Sequence, residues 1–152
     1  MNLATVDHLD EIYKIFRMYP KIFPHIRKDH LLEQIKEQCV IYQDSVVITF
    51  GKYKKGLTLG NVRINKGSWV LHQIVNSKQG NGRAQGVLAE FFESIDDDLY
   101  LTVRSDNITA RQFYDKNGFK VVGEITWKSG EIAGIVYKKF LTKNIFFDIL
   151  GT

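Results

Sequence analysis

The feature that constrains this chain most is a glycine-bearing turn set directly against a well-patterned helix. Across residues 84–95 the apolar side chains Ala84, Val87, Leu88, Phe91, Phe92 and Ile95 fall at the i, i+3, i+4, i+7, i+8 and i+11 positions of one helical face, with Ala89 beside them. Immediately ahead stands Gln79-Gly80-Asn81-Gly82-Arg83-Ala84, and ahead of that a strand-like apolar run ending near Val75. Past the acidic break Asp96-Asp97-Asp98, residues 99–103 read as another short strand. Strand, tight turn, helix, strand in that order predicts a parallel crossover pair, because parallel strands need a connection long enough to hold a helix.

The remaining elements are read in the same way. Asp7 is placed to cap a helix carrying Leu9, Ile12, Tyr13, Phe16 and Tyr19, which Pro20 ends, and Asp29 to cap a shorter one with Leu31, Leu32 and Ile35. Strand-like stretches follow at 40–43, 45–53, 57–64 and 68–75, with hairpin chemistry at Asn65-Lys66-Gly67, so the first half reads as helices and then an antiparallel meander. Asn107 caps a helix bearing Ile108, Ala110, Phe113 and Tyr114, Gly118 occupies a left-handed cap, and 119–127 with 131–140 make a final hairpin about Lys128-Ser129-Gly130. No linker, repeat or low-complexity segment interrupts the chain, which predicts a single domain over residues 1–152. A domain of this length buries roughly 68–70% of its unfolded surface and needs no staples.

Composition narrows the class of partner. The one cysteine, Cys39 in Cys39-Val40-Ile41-Tyr42, reads as a small buried hydrophobe in a reducing compartment. The amino terminus shows no basic patch followed by an apolar run, and no stretch approaches the ~18 apolar residues of a membrane span, so a cytoplasmic protein is expected, with no membrane partner. A net charge of +4 is mild, and the basic residues, spread from Lys14 to Lys143, never make a run of five. They read as a solvated surface before a nucleic-acid one.

Chemistry concentrates in the glycine turn. Glycines let the backbone turn sharply, aim several N–H groups into one concavity and admit a ligand close to the main chain. The helix terminus behind adds unpaired N–H groups and about half a positive charge, worth roughly 0.3–1 kcal/mol per anionic group at an exposed site. This is chemistry for a phosphate or pyrophosphate. A dinucleotide fingerprint fails at Gln85, where its third glycine would stand, and the Gly-Lys-Ser/Thr of a Walker loop is absent.

Gln79-x-x-Gly82-x-Ala84 resembles the Gln/Arg-x-x-Gly-x-Gly/Ala signature of the GNAT superfamily of N-acetyltransferases, and Asn107-x-x-Ala110-x-x-Phe113-Tyr114-x-x-x-Gly118-Phe119 is similar to the helix and strand that follow in that family. The resemblance spans residues 70–139, with the cofactor-binding core at about 70–140. It implies a GNAT-type α+β fold, with a mostly antiparallel mixed sheet whose central parallel strands splay apart between flanking helices. It also implies acetyl-CoA as co-substrate, with no metal. The pyrophosphate would lie on Gln79, Gly80, Asn81, Gly82, Arg83 and Ala84, with Lys78 adding charge, and the pantetheine arm along the main chain of Ile74 and Val75 as an added strand would. Asn107 and Lys116 would also reach the cofactor. Their plainer roles are helix cap and solvated lysine.

The implied reaction is direct acetyl transfer to a primary amine of a small molecule or protein. Tyr114 matches the family's acid that protonates the departing thiolate, with core packing as its plainer role. The strand before the loop carries no Asp or Glu where relatives often place a base. His72 is its only titratable side chain and the candidate base, a water relay to bulk being the alternative. Asn76 stands where many relatives have Pro, three residues before the Gln. Beyond the family's last strand, residues 141–152 hold Ile145, Phe146, Phe147, Ile149 and Leu150, an apolar tail expected to cover a homodimer interface or to pack on its own chain. Two other functions remain open on these residues: a non-catalytic acyl-CoA sensor or interaction module, and an acetyltransferase for a nucleic-acid-linked amine.

Overall fold

In the computed structural model, which describes residues 1–140, a 3-10 turn at Val6–His8 leads into helix α1 (Leu9–Arg17), followed by α2 (Lys28–Lys36). Strands β1 (Val40–Gln43), β2 (Val46–Lys52), β3 (Leu57–Leu59), β4 (Val62–Ile64) and β5 (Trp69–Asn76) come next. Helix α3 (Arg83–Ser94), β6 (Leu99–Arg104), α4 (Ile108–Lys116), β7 (Lys120–Trp127) and β8 (Ile132–Lys139) complete the order. The apolar tail and its expected interface lie outside the described residues. The expected mixed sheet is borne out: hydrogen-bonded neighbours run β1-β2-β5-β6-β8-β7. Among the described residues no helix is long and apolar enough to cross a membrane.

Two compact units make up the chain. The first comprises Met1–Gly51 and Leu71–Ser94. In it β1 pairs antiparallel with β2, from Val40↔Thr49 to Gln43↔Val46. Val46, Val47, Ile48, Thr49 and Phe50 of β2 are all buried, the signature of a strand covered on both faces. Helices α1 and α2 press Ile12, Phe16, Leu31 and Ile35 onto Val40, Val47 and Val75, and Phe50 meets Phe91 of α3 at 4.7 Å between ring centroids. Each such fully buried side chain contributes roughly 1.5–3 kcal/mol.

Among the described residues, the second unit comprises Lys52–Val70 and residues 95–140. Here the first residues of β5 pair in parallel with β6, Trp69↔Leu99 and Val70↔Tyr100, as the crossover pattern predicts. β6 pairs antiparallel with β8 from Leu99↔Lys139 to Arg104↔Gly134, and β7 closes the edge with a bulge between Val121 and Gly123.

The structure corrects the sequence reading in four places. The cap of the first helical segment is Thr5, whose N–H donates to His8 Nδ1 (3.0 Å), while Asp7 sits inside the turn; α1 ends at Arg17, before Pro20. Arg27 precedes α2, and Asp29 lies in its first turn with its carboxylate taken by Arg27 and the His30 N–H. Residues 57–64 are two strands in a separate two-stranded sheet, folded at Gly60 (φ +61°). The meander is therefore interrupted: Tyr53 and Ser68 close the excursion through a 2.8 Å hydrogen bond, and β5 is the neighbour of β2. Cys39 is half-buried, its thiol 3.6 Å from the Glu37 carbonyl, rather than a core residue.

Candidate functional site

The glycine turn takes the form its sequence requires. Gly80 (φ +85°) and Gly82 (φ +75°) occupy the left-handed region, and a Cβ built on either meets nothing within 4 Å. The main chain is therefore approachable from outside at both positions. Among the described residues the main-chain N–H groups of Gly80, Gly82 and Ala84 find no protein acceptor. With the first turn of α3 behind them, these donors fit an anionic group such as a pyrophosphate.

Behind the turn lies a set of supports. Ser45 Oγ donates to Asn76 Oδ1 (2.6 Å), Asn76 Nδ2 to Asn81 Oδ1 (2.7 Å), and Asn81 Nδ2 back to Ser45 Oγ (2.9 Å). Main-chain groups join: Lys78 N–H donates to Asn76 Oδ1 and Arg83 N–H to Asn81 Oδ1, each at 3.0 Å. The Ser77 N–H and hydroxyl both donate to the Ser45 carbonyl, and Tyr19 Oη donates to the Asn76 carbonyl at 3.2 Å. The Arg83 guanidinium reaches away from the turn to the carboxylate of Asp44, whose proximity raises the arginine's pKa. Arg83 thus shares its charge with a carboxylate instead of holding it entirely for a ligand.

On β5, Val75 is buried in the core of the first unit and Ile74 is half-buried. The Gln73 N–H donates to the Thr49 hydroxyl at 3.0 Å. His72 is exposed and lies outside the core. Partial desolvation, and secondarily the charge of His30, keep its pKa below the usual 6.5. The imidazole is neutral at pH 7 and can accept a proton. An open groove of the first unit, lined by Asn2, His8, Glu11, Tyr42 and Asp44 among others, includes none of the predicted site residues. There burial, then the hydrogen bond to Glu11, pushes the Tyr42 phenol up to about 12.

The other predicted residues lie together on α4 of the second unit. Asn107 caps that helix, its Oδ1 accepting the Ala110 N–H at 3.2 Å, so the plainer role is real and the amide N–H groups remain for other work. Tyr114 is half-buried among Phe113, Phe119 and Tyr137, at 5.6, 5.4 and 6.0 Å between ring centroids. Burial pushes its phenol well above the ordinary value. No hydrogen-bond partner of its hydroxyl is found among the described residues. Lys116 is exposed in the last turn. Among the described residues no three His, Cys, Asp or Glu side chains are placed to hold a metal ion.

Sequence reasoning does not reach Asp44, Ser45 or Tyr19, which support the turn from distant segments. Asn76 it reaches only as a departure from proline. Asn81, between the two glycines, it reaches as part of the turn but without its side-chain partners.

No curated protein matches the chain. A model of the acetyltransferase (GNAT) domain matches residues 25–139. Among solved structures, a GNAT-family acetyltransferase of Streptococcus agalactiae 2603 superposes with a TM-score of 0.73 at 17% identity, over 92% of this chain and 94% of that one. One from Bacillus cereus ATCC 10987 gives 0.69 at 18% identity, over 91% and 94%. The ribosomal-protein-alanine N-acetyltransferase of Brucella melitensis gives 0.69 at 14% identity, over 92% and 98%. At these identities the structures speak for the fold alone. The domain model covers most of the chain, including the glycine turn, α3, β6 and α4, and on that ground the chain belongs to the GNAT family of acetyltransferases.

Proposed function

We propose that this chain transfers the acetyl group of acetyl-CoA to a primary amine. The observation that carries the reading is the turn at residues 79–84. Two open glycines in the left-handed region and three main-chain N–H groups without acceptors among the described residues, set ahead of α3, suit the pyrophosphate of that co-substrate. Lys78 and Arg83 lend positive charge beside it, and Asn107 and Lys116 of α4 are candidates for further contacts to the cofactor.

In the proposed reaction the neutral amine attacks the acetyl carbonyl, a main-chain N–H of β5 steadies the oxyanion, and the C–S bond breaks as the C–N bond persists. Tyr114 gives its phenolic proton to the departing thiolate, and the amine's surplus proton passes to bulk through water or through His72. Because ribosomal-protein-alanine N-acetyltransferases share the fold, peptides beginning with alanine head the list of acceptors to try. The absence of Asp and Glu from β5 favours a second reading, an acyl-CoA-binding sensor without transfer.

Free thiol released from acetyl-CoA in the presence of alanine-starting peptides and small amines separates the two. Release that depends on the amine supports transfer, and tight acetyl-CoA binding with no release across the panel supports the sensor. In the same assay, an unchanged pH profile of kcat/KM in His72→Gln leaves water as the sole route for the proton.

A further inference from the structure

Three side chains from three places in the chain meet behind the glycine turn: Ser45 between β1 and β2, Asn76 at the end of β5, and Asn81 between the two glycines. Their hydrogen bonds run in one direction around a closed ring, Ser45 to Asn76 to Asn81 to Ser45. The direction is set by chemistry. Each carboxamide oxygen also receives a main-chain N–H, from Lys78 and from Arg83, and an N–H can only donate. Neither amide can be turned over without facing donor to donor.

We propose that the Ser45–Asn76–Asn81 ring is a positioning device that holds the turn at residues 79–84 in its ligand-receiving shape before acetyl-CoA arrives. The inference rests on the cofactor reading above. Gly80 and Gly82, which flank Asn81, have the widest conformational choice of any residue type, so an unsupported turn would lose that freedom on binding and weaken affinity accordingly. Here the freedom is removed in advance. Asn81 is fixed through its side chain while both neighbouring glycines stay clear, and the ring's base is pinned by the Ser77 and Tyr19 hydrogen bonds to main-chain carbonyls of Ser45 and Asn76. Ser45 is 6% exposed, so its hydroxyl has little water to fall back on. A ring broken at one member leaves the other two short of partners, which makes the three residues act as a unit.

The test compares Ser45→Ala, Asn76→Ala and the double variant with the wild type, in the full chain. Acetyl-CoA affinity is measured by calorimetry, with S-acetylpantetheine, which lacks the pyrophosphate, as the control probe, and amide hydrogen exchange is followed in the unliganded turn. Either single variant is expected to speed exchange at residues 79–84 at least about tenfold and to raise the acetyl-CoA Kd about tenfold, leaving S-acetylpantetheine unaffected. The double variant should be no weaker than the singles, because a ring is broken only once. Affinities within twofold of wild type, additive losses, or an equal loss toward S-acetylpantetheine would each overturn the proposal. A wild type that fails to bind acetyl-CoA overturns the cofactor reading and this inference with it, whereas binding by wild type and variants alike overturns the ring's role only.

Discussion

In the proposed reaction Tyr114 would serve two ends with one side chain. Its ring fills space among Phe113, Phe119 and Tyr137, and its hydroxyl is left without a protein partner among the described residues. Burial raises the phenol's pKa, which alone would make it a weaker acid than the usual value of about 10 implies. In the proposed reaction a thiolate leaving into similarly dry surroundings would become more basic for the same reason, which would preserve the match between donor and acceptor. Replacing Tyr114 by Phe keeps the ring and removes only the proton. The expected result is a kcat lower by about 100-fold where chemistry limits turnover. Since no internal hydrogen bond is lost, stability should change by less than about 1 kcal/mol. A kcat within threefold of wild type would reduce Tyr114 to a packing residue. Arg83 carries the converse lesson: a cation beside the glycine turn reads as a ligand contact, yet its guanidinium meets Asp44 in a solvent-exposed ion pair.

Among the elements, those with a long period were legible. The stripe across residues 84–95 becomes α3 within one residue at either end, and β7 and β8 form the expected hairpin, with Lys128, Ser129 and Gly130 all at positive φ. Residues 57–64 were not legible as two strands. Leu57 and Leu59 alternate, and Val62 and Ile64 alternate one residue out of phase, a break at Gly60-Asn61 short enough to pass for a single strand; what bends the chain there is the neighbouring β7: a Cβ on Gly60 would stand 2.0 Å from the Glu124 carbonyl oxygen, and Asn61 Oδ1 accepts the Glu124 N–H at 2.9 Å. Gly60→Ala therefore combines a left-handed backbone with a clash against main chain. It should cost about 2 kcal/mol or more, read as a lowered denaturant midpoint at unchanged slope. A loss below about 0.5 kcal/mol would mean that the β3–β4 hairpin shifts away from β7 at no cost.

At the scale of the whole molecule, ligand binding should appear as stability. Acetyl-CoA at 100 times its Kd adds about 2.7 kcal/mol to the folded state, which for a chain of this size raises Tm by about 5–11 °C. Millimolar acetyl-CoA that leaves Tm unmoved would count against the cofactor reading. Ion pairs within the chain, Arg83–Asp44, Lys138–Asp98 and Arg104–Asp106 among them, answer individual basic residues but cancel one charge of each sign, so they leave the net charge of +4 unchanged. By itself the sequence determined the helices and strands with strong periodicity, the parallel crossover around α3 and the glycine turn ahead of it. The helices, the strands and the turn depend on residues within one turn or one strand of each other, and the crossover follows from the order of those elements along the chain. Only the tertiary structure decided what stands behind that turn. Ser45 lies 31 residues from Asn76 and 36 from Asn81, and Asp44 lies 39 from Arg83; no local pattern encodes such pairings, which exist because β2 and β5 lie side by side and bring the β1–β2 turn to the end of β5.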